Sequence, residues 1–156
     1  MKSQNPIVYV DADSCPVKQE IVTVCAAYHV PVQFVTTINH LSRDSDASWV
    51  VLDPVDQAVD WYILNHIFPG SCVVTQDLAL ATLLTAKDVT VITPRGELIT
   101  EEDADEILLR KHMRIQNQRQ GKRIKGPSKL TAADKRRFLT IFSSYCRKMQ
   151  ELDGSC

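Results

Sequence analysis

The chain has no Cys-x-x-Cys pair, no apolar run approaching the roughly 20 residues of a membrane span, and no internal repeat or low-complexity segment. Its five cysteines, Cys15, Cys25, Cys72, Cys146 and Cys156, are odd in number and scattered. Neither a disulfide framework nor a zinc site is indicated, and most of the thiols are expected as small core hydrophobes. The longest apolar stretches, around SWVVL and CVVT, are too short to cross a bilayer, and the opening MKSQNP has no apolar leader core. A soluble cytoplasmic protein is expected. Aromatics are few in the basic C-terminal segment, which speaks against recognition by extensive base stacking.

What is present suits one domain, residues 1–156, long enough to bury about two thirds of the surface its unfolded chain exposes. The net charge of −1 hides an asymmetry. Through residue 109 five Lys/Arg face sixteen Asp/Glu, a balance of −11, and from residue 110 thirteen face three, a balance of +10. An acidic body with a basic tail half is the pattern of a chain that holds a metal with one part and a polyanion with the other; a basic helix packed on an acidic domain is the plainer alternative.

Hydrophobic runs alternate with helical patterns. PIVYV (6–10) reads as a strand and 16–29 as a helix carrying Val17, Ile21, Val24, Cys25 and Tyr28 at helical spacing. Strands follow at 30–36, 49–53, 71–77 and 89–94. A helix opens at Pro54 with Val55, Val59, Ile63 and Ile67 on one face, and another covers 78–87. Because the strands are nearly continuous apolar runs, the sheet is expected to be parallel and covered on both faces: a Rossmann-like three-layer α/β/α fold with five strands in the order 3-2-1-4-5. Residues 100–156 form a basic helical extension. It comprises a helix at 100–113 capped by Thr100, a Gly- and Pro-punctuated basic loop at 117–129, and a long helix at 130–152. Thr131 caps the last, and Phe138, Ile141, Phe142, Tyr145 and Met149 form its buried stripe.

In open parallel sheets ligands bind beyond the carboxyl ends of the strands, where the winding reverses. Asp11 and Asp13 follow the first strand in VYVDADSCPV, and Asp77 ends the fourth in VVTQD. With strands one and four adjacent, these acids converge, and Asp60, in the helix before strand four, lies near the buried side. Clustered acids without local bases call for a cation, and oxygen-only donors favour Mg2+ or Mn2+. Plainer roles exist: Asp13 or Ser14 as a cap of the first helix, Asp77 as a cap of the third, and Asp53, Asp56 and Asp60 as surface residues. Asp11, at the strand end, has no such alternative. Cys15 reads as a packing residue. Arg95, with Gly96 in TPRGELIT, falls on the same edge, as a structural turn residue or a phosphate holder.

These blocks resemble the bacterial YaiI/YqxD (UPF0178, DUF188) family. VDADSCPVKQEI is similar to its Asp-Ala-Asp-Ala-Cys-Pro-Val opening. AVDWYI, GSCVVTQDLALATLL and TPRGELIT are similar to later blocks, and GKRIKGPSKLTAADKRRF to its basic tail, in order over residues 7–142. The resemblance implies a fold grouped with PIN-like and NYN-like metal-dependent nucleases. It also implies Asp11 as the first-strand metal ligand, Asp60 as the helix acid, Asp77 as the fourth-strand acid and Asp13 as an additional one. The chain departs at Ser71, where the family commonly has Asp, and at Leu78 and Ala79, where a further PIN acid would fall.

Three functions are compatible with these residues. The first is a Mg2+- or Mn2+-dependent phosphodiesterase on RNA or single-stranded DNA, with Asp11, Asp13, Asp60 and Asp77 as metal-holding and catalytic acids. Arg95, Arg119, Lys122, Arg123, Lys125, Lys129, Lys135, Arg136 and Arg137 would grip phosphates. The second is a haloacid-dehalogenase-type phosphatase using Asp11 as nucleophile, Asp13 as acid, Thr36 or Thr37, and Lys87. The third is a non-catalytic nucleic-acid-binding protein of the same fold. The oligomeric state stays open, a homodimer included.

Overall fold

The computed structural model describes residues 6–37, 48–119 and 129–153. The polar stretch expected as a loop after residue 37 and most of the basic loop, with Lys122, Arg123 and Lys125, lie outside the described residues.

The elements run β1 (Val8–Asp11), a 3-10 turn (Ala12–Ser14), α1 (Lys18–Tyr28), β2 (Val32–Thr37), β3 (Ser48–Leu52), α2 (Ala58–His66), β4 (Cys72–Val74), α3 (Leu78–Thr85), β5 (Thr90–Ile92), β6 (Leu98–Ile99), α4 (Glu101–Arg119) and α5 (Ala132–Asp153). The sheet order is β3-β2-β1-β4-β5-β6. All pairs are parallel except β5 with β6. The expected five-strand order is present; the sixth strand is an addition. Two residues are too few to show an alternation in sequence, and β6 exists because the TPRG turn folds the chain back: the Gly96 N–H donates to the Thr93 carbonyl (2.9 Å), and Thr93 N–H to the Glu97 carbonyl (2.8 Å).

Alternate side chains of each strand leave opposite faces, and both faces are buried. Val8, Val10, Phe34, Cys72, Val74 and Ile92 pack with Ile21, Val24 and Cys25 of α1 and Phe138, Phe142, Cys146 and Met149 of α5. Tyr9, Val35, Val73 and Val91 pack with Val59 and Ile63 of α2, Leu80, Ala81 and Leu84 of α3 and Ile107 of α4. That is the three-layer arrangement expected. Asp11, next in register after Val10 and opposite Val35, belongs to the α2–α3 face.

Several boundaries differ from expectation. The chain turns through the 3-10 segment before α1 starts at Lys18, and its N-cap, Val17, makes no side-chain cap. Pro54 opens not a helix but turns, with Gln57 in the left-handed region (φ 62°) directly before Ala58, which leaves Val55 exposed. β4 stops at Val74, so Asp77 lies beyond the strand and caps α3. α4 continues to Arg119, through the start of the expected basic loop. Thr131 caps α5 as expected, its Oγ1 accepting the Asp134 N–H while Asp134 accepts the Thr131 N–H, both at 3.0 Å. Among the described residues no helix is long and apolar enough to cross a membrane.

Candidate metal and polyanion site

At the carboxyl edge of the sheet a cleft of about 570 Å3 opens between the end of β1 and the starts of α2 and α3. Asp11, Asp13, Asp56, Asp60 and Asp77 line it with Ser14, Thr37 and Gln76, and no Lys, Arg or His does so among the described residues. The structure thus brings Asp11, Asp13, Asp60 and Asp77 together. Asp53 is exposed and outside the lining; Asp56 is exposed but on the rim.

Each acid is held differently. Asp11 is buried, at 6% exposure, and its Oδ2 accepts hydrogen bonds from Thr75 Oγ1 (3.0 Å) and Ser14 Oγ (3.3 Å). Burial pushes its pKa up; the two hydroxyls oppose the shift, and the charges of Asp13 and Asp77 add to it. Asp13 is not a helix cap. Its Oδ1 accepts from Thr36 Oγ1 and from Thr37 N–H (3.2 Å), and its Oδ2 from Thr37 Oγ1 (3.3 Å), so the end of β2 fixes it. Asp77 does cap α3, its Oδ1 accepting Leu80 N–H at 3.1 Å. Its own N–H donates to Thr75 Oγ1 (3.0 Å), so one buried threonine ties Asp11 to Asp77. The pKa of Asp60, in the first turn of α2, is pushed up to about 6, chiefly by burial and then by the charges of Asp77 and Asp11.

Among the described residues no three His, Cys, Asp or Glu side chains stand close enough together to hold a metal ion as they are placed. The donor chemistry nonetheless fits a hard divalent cation. It is all oxygen, Asp11 Oδ1 has no donor among the described residues, and the charges of Asp77 and Asp11 weigh on Asp60, a repulsion that a cation would relieve.

The expected phosphate-binding cations are dispersed. Arg95 NH1 pairs with Asp134 Oδ2 at 2.8 Å, and Arg137 NH1 reaches Asp134 Oδ1 and the Arg95 carbonyl, both at 3.2 Å, so these two join α5 to the β5–β6 turn. Lys135 lies 4.0 Å from Glu20; Lys129 and Arg136 are exposed, and Arg119 ends α4. Lys87 follows α3, which runs back from the carboxyl edge, so it sits at the opposite edge from Asp11, and the phosphatase reading loses its cation. Cys15 is buried, and burial pushes its thiol up to about 12, which suits packing rather than nucleophilic work.

A second groove, of about 780 Å3, adjoins the acidic cleft and shares Gln76 and Asp77 with it. Leu78, Ala79 and Ile107 line it with Arg110, Lys111 and Arg114. None of those three cations was singled out from sequence. Their signal is there: with Ile107 they fall at i, i+3, i+4 and i+7, one helical face. Thr36 and Thr37, which the phosphatase reading placed after the second strand, instead hold Asp13, while Thr75 carries no comparable sequence signal as a site residue.

An α/β/α fold whose parallel sheet presents a carboxylate cleft at its carboxyl edge defines the class. The family model described as "Uncharacterized BCR, YaiI/YqxD family" matches residues 9–148, and the chain belongs to that family. It is 41% identical over 143 residues to a UPF0178 protein of Bacillus velezensis, covering 90% of this chain and 85% of the relative. A UPF0178 protein of Halalkalibacterium halodurans is 43% identical over 136 residues (86% and 87%), and one of Listeria monocytogenes 36% over 141 residues (88% and 95%). No solved structure matches.

Proposed function

We propose that the cleft is the active site of a Mg2+- or Mn2+-dependent phosphodiesterase acting on RNA or single-stranded DNA. The observation that carries the reading is five aspartates lining one cleft with no Lys, Arg or His among the described lining residues. Such a cluster is costly unless a cation neutralises it. Asp11, Asp60 and Asp77 would hold the ion, with Asp13, locked by Thr36 and Thr37, in support. When bound, the ion supplies neutralisation of phosphate charge and activation of water. The chain's own contribution is positional: Thr75 sets the distance between Asp11 and Asp77, and the first turn of α2 presents Asp60 to the same cleft.

The test is incubation of purified protein with end-labelled single strands in Mn2+ or EDTA, beside calorimetric titration of Mn2+. Cleavage in Mn2+ alone, lost in Asp11→Asn, and Mn2+ binding weakened at least ~10-fold in Asp77→Asn are expected. Equal cleavage by Asp11→Asn overturns the reading. Undetectable Mn2+ binding by the wild type, with salt-sensitive RNA binding that ignores EDTA, replaces it with a non-catalytic binder.

A further inference from the structure

We infer that the groove between α3 and α4 is the track for a single-stranded polynucleotide, which it feeds past Gln76 and Asp77 into the acidic cleft; the direction of feed rests on the phosphodiesterase reading, the binding itself does not. Arg110, Lys111 and Arg114 are all exposed and stand on one face of α4 with the buried Ile107, turned to the groove. Arg110 meets Glu106 in an exposed i,i+4 ion pair, a contact a phosphate displaces at little cost. Positive charge here answers a specific need. A polyanion approaching five aspartates is repelled, and cations beside the cleft hold the backbone while the reacting phosphodiester enters it.

The lining also selects the form of the polyanion. Leu78, Ala79, Ile107, Met113 and Ile115 put apolar surface between and beside the cations. A duplex turns its bases inward and offers such a surface nothing, whereas an unpaired strand lays base faces on it while its phosphates meet the arginines. With no aromatic residue among the described residues lining the groove, the contact is tolerant of sequence.

The assay is anisotropy of a fluorescein-labelled 20-nucleotide single-stranded RNA, the DNA of the same sequence, and the duplex of that DNA, each titrated with full-length protein in EDTA across a salt series. Either single strand is expected to bind at least ~10-fold more tightly than the duplex, and the RNA and DNA arms identify which strand is preferred. The triple variant Arg110→Gln/Lys111→Gln/Arg114→Gln is expected to bind at least ~10-fold more weakly, with the salt slope reduced by about 2, three contacts at 0.7 each. Leu78→Glu, which adds a carboxylate at a position favourable in the first turn of α3, is expected to weaken binding as well. The inference falls if the triple variant binds with wild-type affinity and slope, if the duplex binds equally well, or if the wild type is a dimer that Leu78→Glu dissociates, which would make this face a subunit interface. Binding through the groove without cleavage in Mn2+ keeps the track and removes the phosphodiesterase. Cleavage by the triple variant with unchanged KM does the reverse.

Discussion

Asp60, in the first turn of α2, and Asp77, at the N-cap of α3, line the same cleft, and burial with the charges of Asp77 and Asp11 pushes the Asp60 carboxyl up to about 6. The folded state therefore binds a proton that the unfolded chain, with an aspartate near 3.9, releases between about pH 4 and 6. Native stability falls as pH rises through that window and remains lower above it. Asp11, also pushed up by burial, acts in the same direction. Asp60→Asn removes the contribution. Because Asp60 is only half-buried, the gain at pH 7.5 is discounted to about 1 kcal/mol, or roughly 2–4 °C in Tm, with no gain at pH 4. Thermal melts in EDTA at both pH values check it, and an equal difference at the two would sink it.

The layers, the helices and the convergence of Asp11, Asp60 and Asp77 were legible in sequence because burial on both sheet faces writes continuous apolar runs and parallel winding places strand ends on one edge. What was not legible depends on contacts distant in the chain. Asp13 looked like a cap of α1 because Pro16 follows it, yet the hydroxyls that bind it come from Thr36 and Thr37, across β2. Arg95 looked free for phosphate because Asp134, its partner, is 39 residues away. The groove cations on α4 share one helical face by spacing, but the α3 surface that makes that face a groove is set by packing, which spacing does not show.

Gly96 sits at φ +83°, and a Cβ there would lie 2.6 Å from the Arg137 carbonyl carbon and the Phe138 nitrogen in the backbone of α5. Both the left-handed conformation and the close approach require glycine at this turn. Gly96→Ala is expected to cost about 2 kcal/mol or more, lowering Tm by roughly 4–8 °C, because the turn and α5 must part. Mn2+ affinity should be unchanged, since Gly96 is outside the cleft lining. A Tm within about 1 °C of wild type would show that α5 shifts freely on the sheet.

Thr75, 1% exposed, donates to Asp11 Oδ2 and accepts the Asp77 N–H, so its hydroxyl serves a buried carboxylate and a part-buried amide at once. Thr75→Val keeps the shape and removes both partners, a cost on the order of 2–4 kcal/mol at pH 7.5. The hydroxyl is one of the two groups holding the Asp11 pKa down against burial, so its loss raises that pKa further. The variant's carboxyl then takes up a proton at higher pH than the wild type's, and a protonated Asp11 no longer needs the missing donor. The penalty is therefore largest above the folded pKa and shrinks as pH falls towards 4. Thr75→Ser, which restores the oxygen, should track the wild type across the same range. Denaturant titrations of the three proteins at pH 7.5 and 4.5 decide it: a Val variant as stable as wild type at pH 7.5, or a penalty that does not change with pH, would mean that Thr75 packs the sheet edge and does not bridge the two acids.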